Sequence, residues 1–147
     1  MKKINNRIGI VQGRLSKPKK NIIQAFPKDN WENEFLIAEK IGFDAIEFIF
    51  DNEKNPLLQK NGIIKIRHLL ESTNTSICSI SCDYSMFNPL FGKTKRRSEL
   101  VLMKLIDTCS KLKIPRLGLS FEDNSSILNN IHANESISAL KKLSKKA

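Results

Sequence analysis

Residues 8–16 read Ile8-Gly9-Ile10-Val11-Gln12-Gly13-Arg14-Leu15-Ser16, a short apolar run that changes abruptly into a polar cluster. A buried strand that ends in polar groups is typical of parallel α/β proteins, which build their sites at the carboxyl ends of strands. The pattern recurs over residues 45–51, 76–83 and 117–123, and each of these segments ends in an aspartate. The sequence therefore predicts four parallel strands.

Amphipathic segments separate the apolar runs, whose centres lie about 33 to 40 residues apart, the length of one βα unit. Asn30 and Gly42 provide an N-cap and a stop signal for the first of these helices. Apolar side chains recur with helical spacing over residues 31–41, 63–70, 96–112 and 135–147. Four βα units in succession are predicted, either a small complete α/β domain or half of something larger, because a (βα)8 barrel has about 250 residues.

The composition argues against a membrane protein, since 40% of the 147 residues are apolar but no apolar run approaches the ~20 residues that cross a bilayer. Residues 1–7 lack the hydrophobic core and cleavage site of a secretory signal, so we expect a cytoplasmic protein of one domain. The three cysteines form no disulfide framework. Cys78 and Cys82 share a strand face with Ile80 in this interpretation, which predicts buried, reduced thiols.

The net charge of +10 raises the question of a nucleic-acid partner. The basic residues concentrate at residues 17–20, 93–97 and 141–146, in predicted loops and on the outer faces of helices. A phosphate-binding surface needs its cations gathered on one face, with aromatic or hydrogen-bonding groups among them. The sequence therefore favours solvated helix faces and no nucleic-acid partner.

The second predicted strand alternates, with Ile46, Phe48 and Phe50 on the face that packs against helices. Glu47 points the other way, an acid in the middle of an otherwise apolar strand. A buried carboxylate is unfavourable unless it is paired or hydrogen-bonded. Glu47 is therefore a candidate binding residue.

The third strand places Ser79, Ser81 and Asp83 on its polar face. A row of small hydroxyls that leads to a carboxylate leaves room for a polyhydroxylated ligand and supplies donors and acceptors for it. Alternatively, Asp83 only caps the following loop or helix. The fourth strand would add three polar side chains to this site, although the stretch Asp-Asn-Ser-Ser is also common in loops. These three are Ser120, Glu122 and Asp123.

Gln12 and Arg14 lie at the mouth of the first strand, where they can form a pair of hydrogen-bonding groups. Arg14 can hold a phosphate or carboxylate through two parallel hydrogen bonds. It can equally pair with Glu47 or another acid at a strand end and only support the scaffold.

Several of these stretches resemble the opening of the sugar phosphate isomerase/epimerase proteins. This family belongs to the xylose isomerase-like TIM-barrel superfamily, which also contains abasic-site endonucleases. The resembling stretches are residues 9–16, 23–27, 30–32 and 42–47, together with the strand ends at 79–84 and 121–126.

The resemblance implies that residues 1–147 are a parallel (βα)4 unit, the first half of a TIM (βα)8 barrel. It further implies a sugar-phosphate or ketose isomerase or epimerase, which moves a proton next to a carbonyl. In that interpretation this chain supplies part of the substrate wall, through Gln12, Arg14, Glu47 and Asp83, and its catalytic residues stay unassigned.

Members of the family that use a divalent metal (Mn, Mg or Zn) hold it mainly with acids and histidines at the ends of later strands. The resemblance therefore implies a metal in the full-length family and none in this chain. His68 lies in a helical pattern and His132 in the fourth crossover, and neither is expected to be a ligand. The chain also departs from the family pattern at Gly118-Leu119-Ser120, where a proline is expected before Phe121.

Two alternatives stay open. The chain can be a non-catalytic half-barrel that binds a sugar or a partner chain. It can also be a fragment of a phosphodiesterase of the abasic-endonuclease type, although the second and third strand ends lack the histidines that such a site needs. Because four units leave the first and fourth strands without neighbours, we expect self-association or pairing through the open sheet edges.

Overall fold

Four strands form one parallel sheet in the computed structural model, which describes residues 7–18 and 24–147. The strand order β1-β2-β3-β4 follows the order of the sequence, and each strand pairs in parallel with the next. The strands are β1 (Gly9–Val11), β2 (Ala45–Ile49), β3 (Ser76–Cys82) and β4 (Leu117–Leu119). The predicted α/β fold, a parallel (βα)4 unit, is confirmed.

Helices connect the strands and follow the last one. They are α1 (Trp31–Ile41), α2 (Lys60–Ser72), α3 (Tyr84–Phe87), α4 (Lys95–Leu112) and α5 (Asn130–Lys146), with 3-10 turns at Pro56–Leu58, Gly92–Thr94 and Asp123–Ser125. In the described part of the chain, no helix combines the length and apolar character needed to cross a membrane.

The ends of α1 lie where the sequence predicts them. Gly42 adopts φ 97° and its N–H bonds the carbonyls of Ala38 and Glu39, as a glycine stop signal does. Asn30 precedes the helix, but its side chain makes no cap and instead donates to Ser16 Oγ at 3.0 Å. The predicted N-cap is therefore wrong in its chemistry, because the polar side chain ties the helix start to the preceding loop.

Two helices begin earlier than their apolar spacing predicts. The Asn129 side chain accepts a hydrogen bond from His132 N at 2.9 Å, so α5 starts before the predicted residue 135. The turn at Pro56–Leu58 leads directly into α2, which starts before the predicted residue 63. A polar cap sets the start of α5, whereas Gln59 before α2 makes no side-chain cap and Asn55 caps the preceding 3-10 turn through Leu57 N. Apolar periodicity does not report such caps.

The sequential strand order places the long helices on one face of the sheet, since parallel crossovers are almost always right-handed. Phe48 lies at the centre of the resulting core. The centroid of its ring is 5.6 to 6.4 Å from the ring centroids of Phe26, Trp31 and Phe35. All four aromatic side chains are buried. This layer fixes the orientation of β2 and thereby of its opposite face.

The other face of the sheet carries small and polar side chains together with the apolar Val11 and the fully buried Ile49. Strand register and alternation put Gly9, Val11, Ala45, Glu47, Ile49, Ser79, Ser81 and Gly118 on it. Within the described part of the chain, none of the long helices lies on this surface, which we name the open face. The open face carries the polar groups that the sequence singles out on β2 and β3.

A β-bulge interrupts the pairing of β2 with β3. Ile46 pairs with Ile77, and the next residue of β2, Glu47, pairs with Ser79, so Cys78 is skipped. Cys78 is only half-buried, and its thiol contacts the Ile46 carbonyl at 3.5 Å. The prediction that Cys78 packs on the apolar face is therefore wrong, because the bulge gives that place to Ile77.

Candidate functional site

Glu47 and Ser79 form a hydrogen-bonded pair across β2 and β3. The Ser79 hydroxyl donates to Glu47 Oε1 at 2.8 Å, and both residues are half-buried. They are register partners, so the pairing of the strands itself brings them together. Glu47 lies on the open face, where the alternation of β2 predicts it.

Asp83 follows β3 directly and forms the second pair of the site. Its Oδ1 accepts hydrogen bonds from Ser81 Oγ and from Gln24 Nε2, both at 3.1 Å. Its Oδ2 lies 3.3 Å from the same Gln24 nitrogen. We name the four residues Glu47, Ser79, Ser81 and Asp83 the carboxyl-end row.

Burial raises the pKa of Asp83 above its ordinary value, against the lowering effect of the hydrogen bonds from Ser81 and Gln24. The negative charges of Asp51 and Glu47 raise it further. The three carboxylates therefore interact electrostatically. Such mutual repulsion favours the protonated form of one member.

Asn55 positions the third carboxylate. Its amide donates to Asp51 Oδ1 at 2.9 Å and to the carbonyl of Ile49 at 3.0 Å. Asn55 is buried, whereas Asp51 is half-buried. The loop after β2 is thus tied to the end of its own strand.

Gln12 is buried at the end of β1, where it extends the pairing with β2. Its backbone N–H donates to Glu47 O, and its side-chain Oε1 accepts from Ile49 N, both at 3.0 Å. In a regular parallel ladder, the backbone carbonyl of Gln12 would accept the hydrogen bond from Ile49 N. Gln12 Nε2 is buried without a hydrogen-bond partner in the described structure, so one donor of the predicted binding residue remains to be satisfied.

Arg14 is exposed in the loop after β1, and Glu34 of α1 holds that loop. Glu34 is buried, and its carboxylate accepts from Gly13 N at 2.8 Å and from Leu15 N at 3.1 Å. Gly13 has φ 87°, and a Cβ there would lie 2.6 Å from Ala25 O. This turn therefore needs glycine.

Sequence reasoning missed Glu34 and Gln24. Glu34 lies three residues after Trp31 on the inner side of α1, so helical spacing carried a signal for its burial. Gln24 lies on the connection between β1 and α1, and it reaches Ser81 and Asp83 on β3. No local sequence pattern predicts these contacts between Gln24 and β3.

The fourth strand ends earlier than predicted, at Leu119 instead of residue 123. Ser125 is buried, and its hydroxyl donates to Ser120 O at 3.2 Å and to Glu122 O at 2.8 Å. These bonds turn the chain into a 3-10 turn in which Asp123 adopts φ 51°. Glu122 and Asp123 are exposed and lie beyond the strand, so the predicted strand-end acids do not extend the row.

Neither histidine adjoins the row. His68 is exposed on α2. His132 lies in the first turn of α5, and its ring stacks on the ring of Phe91 with 3.9 Å between the ring centroids. Across residues 7–18 and 24–147, no group of three or more His, Cys, Asp or Glu side chains is arranged to hold a metal ion. The carboxylates of the row accept hydrogen bonds from Ser79, Ser81 and Gln24.

No protein-family model matches the sequence, and a search of the curated proteins gives no match either. The fold and the geometry of the carboxyl-end row therefore carry the functional argument.

Proposed function

We propose that the carboxyl-end row binds the hydroxyl groups of a sugar or sugar phosphate, and that this chain contributes the row to an isomerase or epimerase. The observation that carries the proposal is the alternation of serine hydroxyls and carboxylates on the open face, in the pairs Ser79–Glu47 and Ser81–Asp83. The strand order is that of one half of a (βα)8 barrel, whose sites lie at the carboxyl ends of its strands.

The spacing of the row suits a chain of hydroxyl groups. Ser79 and Ser81 are two residues apart on one strand, about 6–7 Å, and Glu47 lies across the sheet at about 4.8 Å. Each serine can donate and accept, whereas each carboxylate only accepts when ionised. A ligand that contacts the whole row must present several donors and acceptors a few ångströms apart, as a polyol does.

Asp83 holds a proton more readily than an ordinary aspartate. Its raised pKa favours the protonated form, in which it can donate a hydrogen bond to a carbonyl or hydroxyl oxygen of the sugar. Glu47 would orient a neighbouring hydroxyl as an acceptor. We assign binding and orientation to this chain and expect the isolated chain to be catalytically silent.

The binding test uses D-fructose and D-fructose 6-phosphate as probes in titrations followed by ligand-detected NMR. We expect the wild-type chain to bind, and the substitutions Glu47→Gln and Asp83→Asn each to weaken binding about threefold to tenfold through the loss of a hydrogen-bonding carboxyl group. Glu71→Gln is the matched control, because Glu71 is exposed on α2, outside the row. Equal binding by all variants would contradict the proposal.

A second measurement separates binding from catalysis. We expect no incorporation of solvent deuterium into the sugar by the isolated chain, since proton transfer next to a carbonyl also needs stabilisation of the developing oxyanion. Incorporation that disappears in Asp83→Asn would show that this chain carries the catalytic group itself. Binding without exchange in a longer protein that contains this chain would favour the non-catalytic sugar-binding alternative.

A further inference from the structure

A cavity of about 400 Å³ lies at the opposite end of the sheet, where the strands begin. Gly9, Ala45 and Ser76, the first residues of β1, β2 and β3, form part of its wall. Its volume falls within the range of roughly 300–1,000 Å³ that is typical of small-molecule sites. The cavity shares no lining residue with the carboxyl-end row.

The charged side chains that line the cavity are all basic. They are Arg7, Lys113 and Arg116, and none of the described lining residues is acidic. None of the three forms an ion pair within the described part of the chain. Asp44, which directly precedes β2, instead accepts a hydrogen bond from Ile8 N at 2.7 Å.

Arg116 is partly oriented by the bulge in β3. Its Nε lies 3.5 Å from the carbonyl of Cys78, and its two terminal nitrogens have no acceptor among the described residues. Those nitrogens form the edge of the guanidinium that binds phosphate through two bonds. Lys113, in the left-handed region at φ 56°, ends α4 beside the cavity.

We propose that this cavity binds a small multiply charged anion, a phosphate group carried by a metabolite or free in solution. Three cations around one cavity repel one another, and a polyvalent anion between them removes that repulsion and supplies acceptors for their donors. The site is independent of the proposed function, because it lies at the other end of the strands and uses none of the row residues.

Cys78 provides a reporter for the site. It lines the cavity and is half-buried, whereas Cys82 and Cys109 are only 1% and 8% exposed. A thiol reagent should therefore modify Cys78 first. An anion bound in the cavity should slow that reaction.

The experiment titrates the folded chain with inorganic pyrophosphate and follows two signals, the heat of binding and the rate at which dithiobis(nitrobenzoate) modifies the fast thiol. We expect saturable binding with protection of the fast phase, which Cys78→Ser abolishes. Arg116→Gln and Lys113→Gln should each weaken binding about threefold to tenfold. Lys104→Gln and Lys111→Gln, at exposed positions of α4 outside the cavity, should change it less than about twofold.

Three results would overturn the proposal. They are the absence of saturable binding, binding without protection of Cys78, and equal weakening in the cavity variants and the α4 controls, which would reflect only the overall charge of +10. Lys113 is exposed, so Lys113→Gln keeps the test informative if Arg116→Gln does not fold. Asp83→Asn should bind pyrophosphate like the wild type, which keeps this test separate from that of the sugar site.

Discussion

Glu34 and Asp83 are both carboxylates withdrawn from water, but they have different partners. Glu34 accepts two backbone N–H groups of the loop after β1, and it is 1% exposed. Asp83 accepts hydrogen bonds from two neutral side chains and lies near two other carboxylates. The first arrangement stabilises a loop, and the second leaves a group whose protonation can respond to a ligand.

We expect Glu34→Gln to lower the free energy of unfolding by about 2 kcal/mol, because an amide offers one acceptor where the loop needs two. Urea denaturation measures this change. Glu32→Gln is the control, since Glu32 forms an exposed ion pair with Lys65 and its loss should matter by less than about 1 kcal/mol. Similar losses in both variants would show that Glu34 does not anchor the loop.

Asp83 should make stability fall as the pH rises. Burial raises its pKa in the folded chain above the ordinary value of 3.8, so the folded state binds this proton more tightly than the unfolded state. Its contribution is fully present below pH 3.8 and is lost as the pH passes through the folded pKa. Unfolding free energies of wild type and Asp83→Asn, measured from low pH to neutrality, should therefore diverge in that window, with the wild type losing stability relative to the variant. Parallel curves would contradict the raised pKa.

At the scale of the elements, side chains complete what short strands cannot. β1 has three residues, and Gln12 prolongs its pairing with β2 after the backbone has turned away. β4 also has three residues, and the Ser125 hydroxyl bonds the carbonyls of Ser120 and Glu122 just beyond it. At the ends of both short strands, polar side chains thus form hydrogen bonds to backbone groups in place of further strand pairing.

Gln12→Met should expose this role, because it keeps the volume and removes the acceptor for Ile49 N. We expect a loss of stability of about 1–3 kcal/mol, the penalty for a buried N–H without a partner. Hydrogen exchange should show faster exchange at the Ile49 amide in the variant. Gln59→Met, at an exposed position, provides the comparison, and an unchanged Ile49 amide in Gln12→Met would contradict the assignment.

Gly62 fixes the packing of α2 against the turn at Pro56–Leu58. A Cβ at residue 62 would overlap the Pro56 carbonyl oxygen. Ala is favoured over Gly in a helix by about 1 kcal/mol, yet here we expect Gly62→Ala to destabilise by about 2 kcal/mol or more. Thermal unfolding checks this sign. Gly118→Ala should be nearly neutral, since its Cβ would lie 3.5 Å from Ile80 O.

The elements that sequence reasoning located well are those with a strong local period. The alternation of β2 and the helical spacing of α1 each reflect one buried face, so Glu47 could be assigned to the face opposite Phe48. The bulge at Cys78 could not be predicted, because it depends on the register between two strands. Gln24 could not be assigned to the site either, since its contacts span 57 and 59 residues of sequence.

At the scale of the whole molecule, the open face is polarised by charge. Glu47, Asp51 and Asp83 lie near the carboxyl ends of the strands, and Arg7 and Arg116 line the cavity at their amino ends. The helices on the other face bury the apolar core. A partner that covers the open face must therefore meet both signs of charge.

We expect the chain to self-associate through the open face and the sheet edges, and to do so more strongly in salt. Its net charge of +10 opposes association, and an increase in ionic strength from about 0.02 to 0.5 M screens that repulsion. Sedimentation velocity at both salt concentrations measures the effect. Val11→Lys, on the open face of β1, should weaken association, whereas Leu36→Lys, on the outer side of α1, should not. A monomer under all conditions would contradict the prediction.

The sequential strand order also bears on how the chain reaches its structure. Within residues 7–18 and 24–147, every strand pairs only with the strand before or after it, so no pairing among them has to wait for a distant segment. The entropic cost of loop closure is therefore divided into three separate steps of similar size. In each step, a new strand pair and the helix that packs on it offset that cost. A nascent chain leaving the ribosome can add β2, β3 and β4 in the order of their synthesis, which gives this topology a route to vectorial folding.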